Sequence, residues 1–486
     1  MTRPKVPNGL LRGLLAEAGW TEDFLARQVN AVAAESGVTM RLDRRSVTHW
    51  LAGRRPRSPV PELIAEALTR ALRRPVGLAD MGLDGAAGPA GRGKPSRAPR
   101  PRAGVDRLPS ADGESPVLPR DVVSLLTALA QVDEGRRRRL AATPYRLAAL
   151  TVPDWADAAA RQPRPAPRPD AARTQLLEPG QVATAEQMAR VFSHADDSFG
   201  GGQARGELSC YLAYDIAPRL RAAGTPALRR KLFAAATQLS YLAAFMCFDD
   251  ECHGLAQRYY RTTLRLAVEN NDPAGYAIAL RGMSVQARSL GHHRRAVDLA
   301  EAAARLSRSA AGPARQAFFL GQVAVAAAAA GDRHHALTTI SAAERRLDQA
   351  SSLAATNLAA HGNTTMGRYH PAALAHQEAA VRALLGDRRG AISALAEAVR
   401  HRPPWECRSR ALVHARLAEL HLDQGHLDQA VTVWHAFLDD FPFLTCRRAT
   451  TAVKVLRSRL HPQRANPAVR QLLARTIPSA PDTAVS

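Results

Sequence analysis

The chain has 486 residues, with 66 Lys and Arg against 44 Asp and Glu for a formal net charge of +22, and is 46% hydrophobic but only 5% aromatic. That length suits about three domains, and the excess of arginine favours a polyanionic partner, nucleic acid above all, although a GC-rich genome skews a sequence the same way. The longest unbroken apolar stretch, Val323 to Ala330, falls short of the roughly 18–20 residues that cross a bilayer, and the start of the chain lacks a secretory pattern; no membrane association is expected.

Residues 1–83 read as a small domain of four or five short helices. Leu10, Leu11, Leu14 and Leu15 form one apolar stripe that Gly19 closes, and Thr21 suits the N-cap of a helix turning Phe24, Leu25 and Val29 inward. A long connection from Asn30 to Leu42 leads to Asp43-Arg44-Arg45-Ser46-Val47-Thr48-His49-Trp50-Leu51-Ala52-Gly53-Arg54-Arg55-Pro56. Asp43 suits an N-cap there and Gly53 a stop. Val47, Trp50 and Leu51 recur at spacings of three and four and pack inward, which turns Arg44, Arg45, Thr48 and His49 outward on one face. Two arginines near the start of a short helix can reach base edges and phosphates together; the alternative is a solvated helix face.

Residues 84–119 hold many Pro and Gly and almost no large apolar side chain, so they read as a flexible linker. A helical pattern from Asp121 to Ala142, with Val122, Leu125, Leu126, Leu129 and Val132 at helical spacing, makes 120–150 a separate helical segment. Arg136 to Arg139 at its end read as a solvated basic face. Residues 151–179, with Pro163, Pro165, Pro167 and Pro169 in alternation, read as an extended second linker.

From 180 to 460 the pattern is helical almost throughout. Gly is followed five residues later by Ala four times over, at Gly291/Ala296, Gly331/Ala336, Gly386/Ala391 and Gly425/Ala430, with further packing positions at Ala303, Ala343, Ala398 and Phe437. Gly permits the left-handed turn that closes a helix, and Ala permits close approach of the next. Ile340, Leu395 and Trp434 fill the groove between neighbours, and Ala256 with Tyr260 extends the series upstream. This resembles the tetratricopeptide repeat, which implies helix pairs stacked into a solenoid with a concave ligand-binding face; a generic array of helical hairpins is the alternative. Residues 461–486 read as a disordered tail. The fold class is thus all-α, a small helix-turn-helix domain linked by Pro-rich segments to a tetratricopeptide-like α-solenoid.

The first domain resembles the phage-repressor type of helix-turn-helix on Thr21, Ala26, the Val47/Trp50 pair and the Gly53-Arg54-Arg55-Pro56 exit. The segment Asn30–Leu42 is about ten residues longer than the tight turn of that family. The resemblance implies contacts to double-stranded DNA by Arg41, Arg44, Arg45, Ser46, Thr48 and His49, with Arg54, Arg55 and Arg57 on phosphates, and a homodimer. Phe199-Gly200-Gly201-Gly202, Tyr211-Leu212, Ala217-Pro218, Leu232-Phe233-Ala234-Ala235-Ala236 and His253-Gly254-Leu255-Ala256-Gln257-Arg258-Tyr259 together resemble an actinobacterial regulator family that joins such a head to tetratricopeptide-type repeats. Its members include regulators of sporulation and antibiotic production in Streptomyces, which implies transcriptional control in the cytoplasm.

On each repeat's first helix, Arg281, Arg288 and His376 face the concave side and are candidate contacts to a peptide, small-molecule or protein effector. Gly200–Gly202 read as a turn rather than a phosphate cradle, since no Walker or dinucleotide motif follows a strand. Asp249, Asp250 and Glu251 read as a charged helix start. The pairs His292/His293 and His334/His335, with His421 and His426, read as solvated loop residues. Five widely spaced cysteines with no C-x-x-C pair speak against a disulfide framework and a zinc site. No cofactor, metal or catalytic residue is expected, and an enzyme ranks below both a regulator and the competing class, a scaffold that never touches DNA.

Overall fold

The computed structural model describes residues 6–83, 121–135, 144–161, 176–356 and 369–476. They fall into two compact units, one of residues 1–119, 131–151 and 252–258, the other of residues 120–130, 152–251 and 259–486. The regular structure among the described residues is helical, save an isolated bridge between Leu176 and Ala223.

The first unit opens with four helices, α1 (Gly9–Glu17), α2 (Glu22–Glu35), α3 (Arg44–Leu51) and α4 (Val60–Leu72). Side chains cap the first three: Asn8 accepts from the Leu11 N–H, Thr21 from Phe24 and Asp43 from Ser46. One core joins Leu11, Leu14 and Leu15 to Leu25, Val29, Val47, Trp50, Leu63, Ile64 and Leu68. Leu10 stays exposed, because the core reaches only the face that residues 11, 14 and 15 share. The first part of the long connection expected over Asn30–Leu42 is helix, since α2 continues to Glu35 with Val32 and Ala33 buried. The true connection is residues 36–43, entered by Gly37 at φ 76°.

Residues 144–151 also belong to the first unit, contrary to the separate segment expected over 120–150. Tyr145 is buried, and its N–H donates to Ser36 Oγ at 3.2 Å. Arg70 donates to Glu35, Glu66 and the Tyr145 carbonyl at 2.9, 2.7 and 2.9 Å, and Glu66 also accepts the Leu147 N–H. α5 spans Val122–Gly135, and Arg136–Arg139 lie outside the described residues.

The second unit is a helical solenoid. It comprises α6 (Trp155–Ala160), α7 (Pro179–Phe199), α8 (Gly201–Tyr211), a π turn at Leu212–Ile216, α9 (Ala217–Arg221), α10 (Pro226–Asp249) and, from Tyr259 onward, α11 (His253–Glu269). The repeats continue with α12 (Pro273–Ser289), α13 (His293–Ala310), α14 (Pro313–Ala329), α15 (Arg333–Thr356), α16 (Pro371–Leu384) and α17 (Arg388–Arg400). α18 (Cys407–Asp423), α19 (Leu427–Asp440), α20 (Arg447–Leu460) and α21 (Pro467–Arg475) complete the array.

The Gly/Ala series sets its repeat. Gly291, Gly331, Gly386 and Gly425 all sit at φ between 79° and 89°, where an L side chain is strained. Ala296, Ala336, Ala391 and Ala430 are fully buried. Glu251, five residues before Ala256, takes the same left-handed conformation at φ 57° without being Gly.

Two expected loops contain helix. α6 breaks the second linker, with Trp155 edge-on to Tyr276 at 5.4 Å and the Tyr276 hydroxyl donating to the Pro153 carbonyl at 2.8 Å; residues 162–175, with the alternating prolines, lie outside the described ones. In the expected tail, Asn466 caps α21, and Val469 and Leu472 are fully buried; residues 477–486 lie outside the described ones. α10 is long and apolar enough to cross a membrane by length and composition, which an unbroken-run criterion misses because Thr237 and Ser240 interrupt it. It is a core helix here, with 78% of its apolar window buried.

Candidate nucleic-acid interface and repeat groove

On α3 the Asp43 carboxylate accepts both the N–H and the hydroxyl of Ser46, at 2.9 and 2.8 Å. Those bonds hold its pKa below the usual carboxylate value. Val47, Trp50 and Leu51 are buried, which leaves Arg44, Arg45, Thr48 and His49 exposed on the opposite face, as their spacing predicts. Ser46 is half-buried with its hydroxyl engaged by Asp43, so it supports the cap rather than offering a free donor.

Arg41 is exposed on the connection ahead of α3. That connection is tied back to α2 by Asn30, whose side chain accepts the Leu42 N–H at 3.0 Å and donates to the Leu42 carbonyl at 2.9 Å. Beyond α3, Arg54, Arg55 and Arg57 are exposed. The turn before them needs Gly53, at φ 89°, where a Cβ would lie 2.2 Å from the Val6 carbonyl oxygen.

Sequence patterning missed Glu22, in the first turn of α2. Its carboxylate accepts the Thr48 hydroxyl at 2.6 Å and lies 3.5 Å from Arg44 Nε. Two of the outward residues therefore share an acid across the two helices. Among the described residues, Arg41, Arg45, Arg54, Arg55 and Arg57 form no ion pair. Nothing in the spacing of Glu22 signals its role, because the contact joins residues 26 apart.

In the second unit the ends of the array meet at Gly200–Gly202, where Gly200 alone is the turn expected over the three glycines and Gly201 and Gly202 open α8. The Thr445 N–H donates to the Phe199 carbonyl at 2.7 Å and the Gly202 N–H to the Thr445 carbonyl at 2.8 Å. A Cβ on Gly201 would lie 2.7 Å from Met246 Cα, and one on Gly202 2.7 Å from the Thr445 carbonyl oxygen. Asp249 ends α10 and Asp250 and Glu251 follow it, rather than opening a helix. They pair with Arg448, Arg205 and Arg447 at 3.2, 2.6 and 3.3 Å, so the acidic cluster is a clasp.

At its centre Arg408 is buried, 3.0 Å from Asp196, 3.4 Å from Asp197 and 3.8 Å from Asp249. Its Nε donates to the Asp196 carbonyl and its guanidinium covers the Phe245 ring at 4.9 Å. Burial pushes the Asp196 carboxyl up to about 7 despite Arg408. Asp249, with Arg448 as a second cation, keeps its charge and stays below the usual value although burial opposes this.

The three groove residues lie together. On α12, positions 281, 285 and 288 are half-buried while 282–284, 286 and 287 between them are buried, a stripe at helical spacing. Arg281 stacks on the Phe318 ring at 3.6 Å and donates to the Phe318 carbonyl at 3.4 Å. Desolvation, followed by the Arg448 and Arg281 charges, lowers Arg288 to about 10. On α16, desolvation and then Arg402, Arg448 and Arg288 press His376 down to about 3, which keeps the imidazole neutral. Of the histidines expected in solvated loops, only His292 and His426 lie outside helices, both at N-cap positions; His293 opens α13, His334 and His335 lie in the first turn of α15 with His335 3.2 Å from Glu301, and His421 lies in the last turn of α18. No group of three or more His, Cys, Asp or Glu among the described residues could hold a metal ion.

A family model described as the SP15 N-terminal domain matches residues 11–84, which contain α2, α3 and the arginine face. No curated protein matches the chain.

Proposed function

We propose that this chain is a cytoplasmic transcriptional regulator that binds double-stranded DNA as a dimer through α3, with the solenoid sensing an effector or a partner protein. The observation that carries this is a set of exposed arginines on and around a capped helix: Arg44 and Arg45 on α3, and Arg41, Arg54, Arg55 and Arg57 on the segments flanking it, over a core that fixes α3 through Val47, Trp50 and Leu51. Arg45 and His49 suit base edges, while Arg54, Arg55 and Arg57 suit phosphates. The resemblance to actinobacterial regulators extends the proposal to genes of development or secondary metabolism. An effector controls such a protein only by favouring one arrangement of the two heads over the other.

The hold of Glu22 on Arg44 and Thr48 favours the rival class, a scaffold whose first domain binds protein. A salt titration of binding to duplex DNA separates the two. For a regulator, log affinity falls linearly with log salt, and Arg54→Ala or Arg55→Ala flattens the slope by about 1 for every sequence tested. Arg45→Ala instead narrows the gap between preferred and random duplexes. A scaffold shows no preferred duplex, and its residual binding is insensitive to Arg45.

A further inference from the structure

We propose that the inner face of the repeat array holds a site for a compact oxyanion, a phosphate or a carboxylate, gripped by Arg288 with Arg281 and Arg448 and backed by His376. The proposal rests on assigning effector sensing to the solenoid and goes on to name the chemistry of the effector; it is independent of whether α3 binds DNA.

Arg288 differs from the other enclosed arginines of this unit that form ion pairs. Arg408 has Asp196, Asp197 and Asp249; Arg402 has Glu406; Arg205 has Asp250; and Arg448 has Asp249. Arg288 has no carboxylate among the described residues, its Nε is buried without a hydrogen-bond partner, and the charges that reach it are two further arginines. A desolvated guanidinium among like charges destabilises a fold unless an anion joins it.

Geometry indicates where that anion sits. Arg281 and Arg288 are two helical turns apart on the half-buried stripe of α12, about 10 Å along the axis, within the joint reach of two long side chains. Phe318 holds the Arg281 guanidinium flat by stacking. Arg448, from α20, stands over Phe248 at 5.3 Å and is fixed by Asp249. Planar guanidinium forks pair bidentately with phosphate and carboxylate alike, and neutral His376 can donate one N–H without adding charge.

Thermal unfolding and calorimetry of the full chain test this with two probes, inorganic pyrophosphate and a short acidic peptide with a free C-terminal carboxylate. The amidated peptide and chloride at equal ionic strength serve as controls. At least one probe is expected to bind and to raise Tm by a few degrees. Arg288→Met, which keeps most of the volume, should bind at least about tenfold more weakly while its own Tm without probe is equal to or above that of the wild type. Binding of pyrophosphate alone assigns a phosphate source; binding of the free but not the amidated peptide assigns a carboxylate source.

The site is overturned if neither probe binds at millimolar concentration, if the amidated peptide or chloride matches the probes, or if Arg288→Met binds as the wild type does. DNA binding measured without probe keeps the two proposals apart. Its absence alongside intact anion binding removes the regulator assignment alone, and the converse removes the anion site alone.

Discussion

Replacing Arg408 with methionine should open the joint between the two ends of the solenoid at a calculable cost. The substitution leaves most of the packing on Phe245 but strips the cation from Asp196 and Asp197, while Asp249 retains Arg448 at 3.2 Å. Breaking a buried pair by deleting one partner costs about 3–5 kcal/mol, because the other charge stays buried. The cost should depend on pH. Asp196 already has a folded value near 7, above its ordinary 3.8, so its proton favours the folded state below 3.8 and that advantage fades as pH rises through 7. Without Arg408 the folded value climbs further, so the gap between variant and wild type should be widest near pH 8.5 and narrow toward pH 6. Urea unfolding followed by far-ultraviolet circular dichroism at those two pH values measures it. Adding Asp196→Asn to Arg408→Met should recover much of the loss at pH 8.5. A penalty under about 1 kcal/mol, equal at both pH values, would refute the clasp as a source of stability.

Other outcomes follow from the same structure. Glu22→Gln should release Arg44, while its amide oxygen can still accept the Thr48 hydroxyl, and tighten DNA binding by up to about fivefold, the equivalent of an exposed ion pair of about 1 kcal/mol; fluorescence anisotropy at fixed salt reads this, and weaker binding would place Arg44 outside the interface. His376 is held near 3 against 6.5 for a free imidazole, so its neutral form contributes stability above pH 6.5 that is lost as pH falls toward 3. His376→Gln should therefore flatten the acid limb of the stability profile by up to about 1.4 kcal/mol per pH unit, and an unchanged limb would show that the groove does not desolvate it. Arg73 ends α4 exposed, in the left-handed conformation at φ 53°. Arg73→Gly should raise stability by about 1 kcal/mol, and a fall in Tm would show that its side chain makes a contact of greater worth.

Local rules with few substitutes were legible in the sequence. The Gly/Ala series foretells the repeat turns because only Gly takes φ near 80° without strain and only a small residue fits where two helices meet, while Asp43 and Thr21 announce caps by position. Glu251 shows the limit, since a turn held at φ 57° by an acidic residue leaves no glycine to recognise. The clasp was hidden for a different reason. Arg408 and Asp196 are 212 residues apart, and no periodicity encodes a pair that forms only when the array closes. Of Gly200–Gly202 only Gly200 is a turn residue between helices, since Gly201 and Gly202 open α8; their role in admitting Thr445 depends on the same closure. α21 was missed because two buried side chains, Val469 and Leu472, make too weak a pattern against a Pro- and Arg-rich end. The outward arginines of α3 followed from the inward spacing of Val47, Trp50 and Leu51, whereas Glu22 lies on another helix and only the packing of α2 on α3 brings it near.

The central claim is that the α3 face recognises a DNA sequence. Selection of duplexes from a random pool by the full chain tests it most directly, run beside an Arg44→Ala/Arg45→Ala variant whose fold is verified by circular dichroism. Recovery of one reproducible motif by the wild type, absent from the folded variant, is the predicted result. Random recovery by both proteins, vanishing alike as salt is raised, would contradict it and turn attention to protein partners of the solenoid.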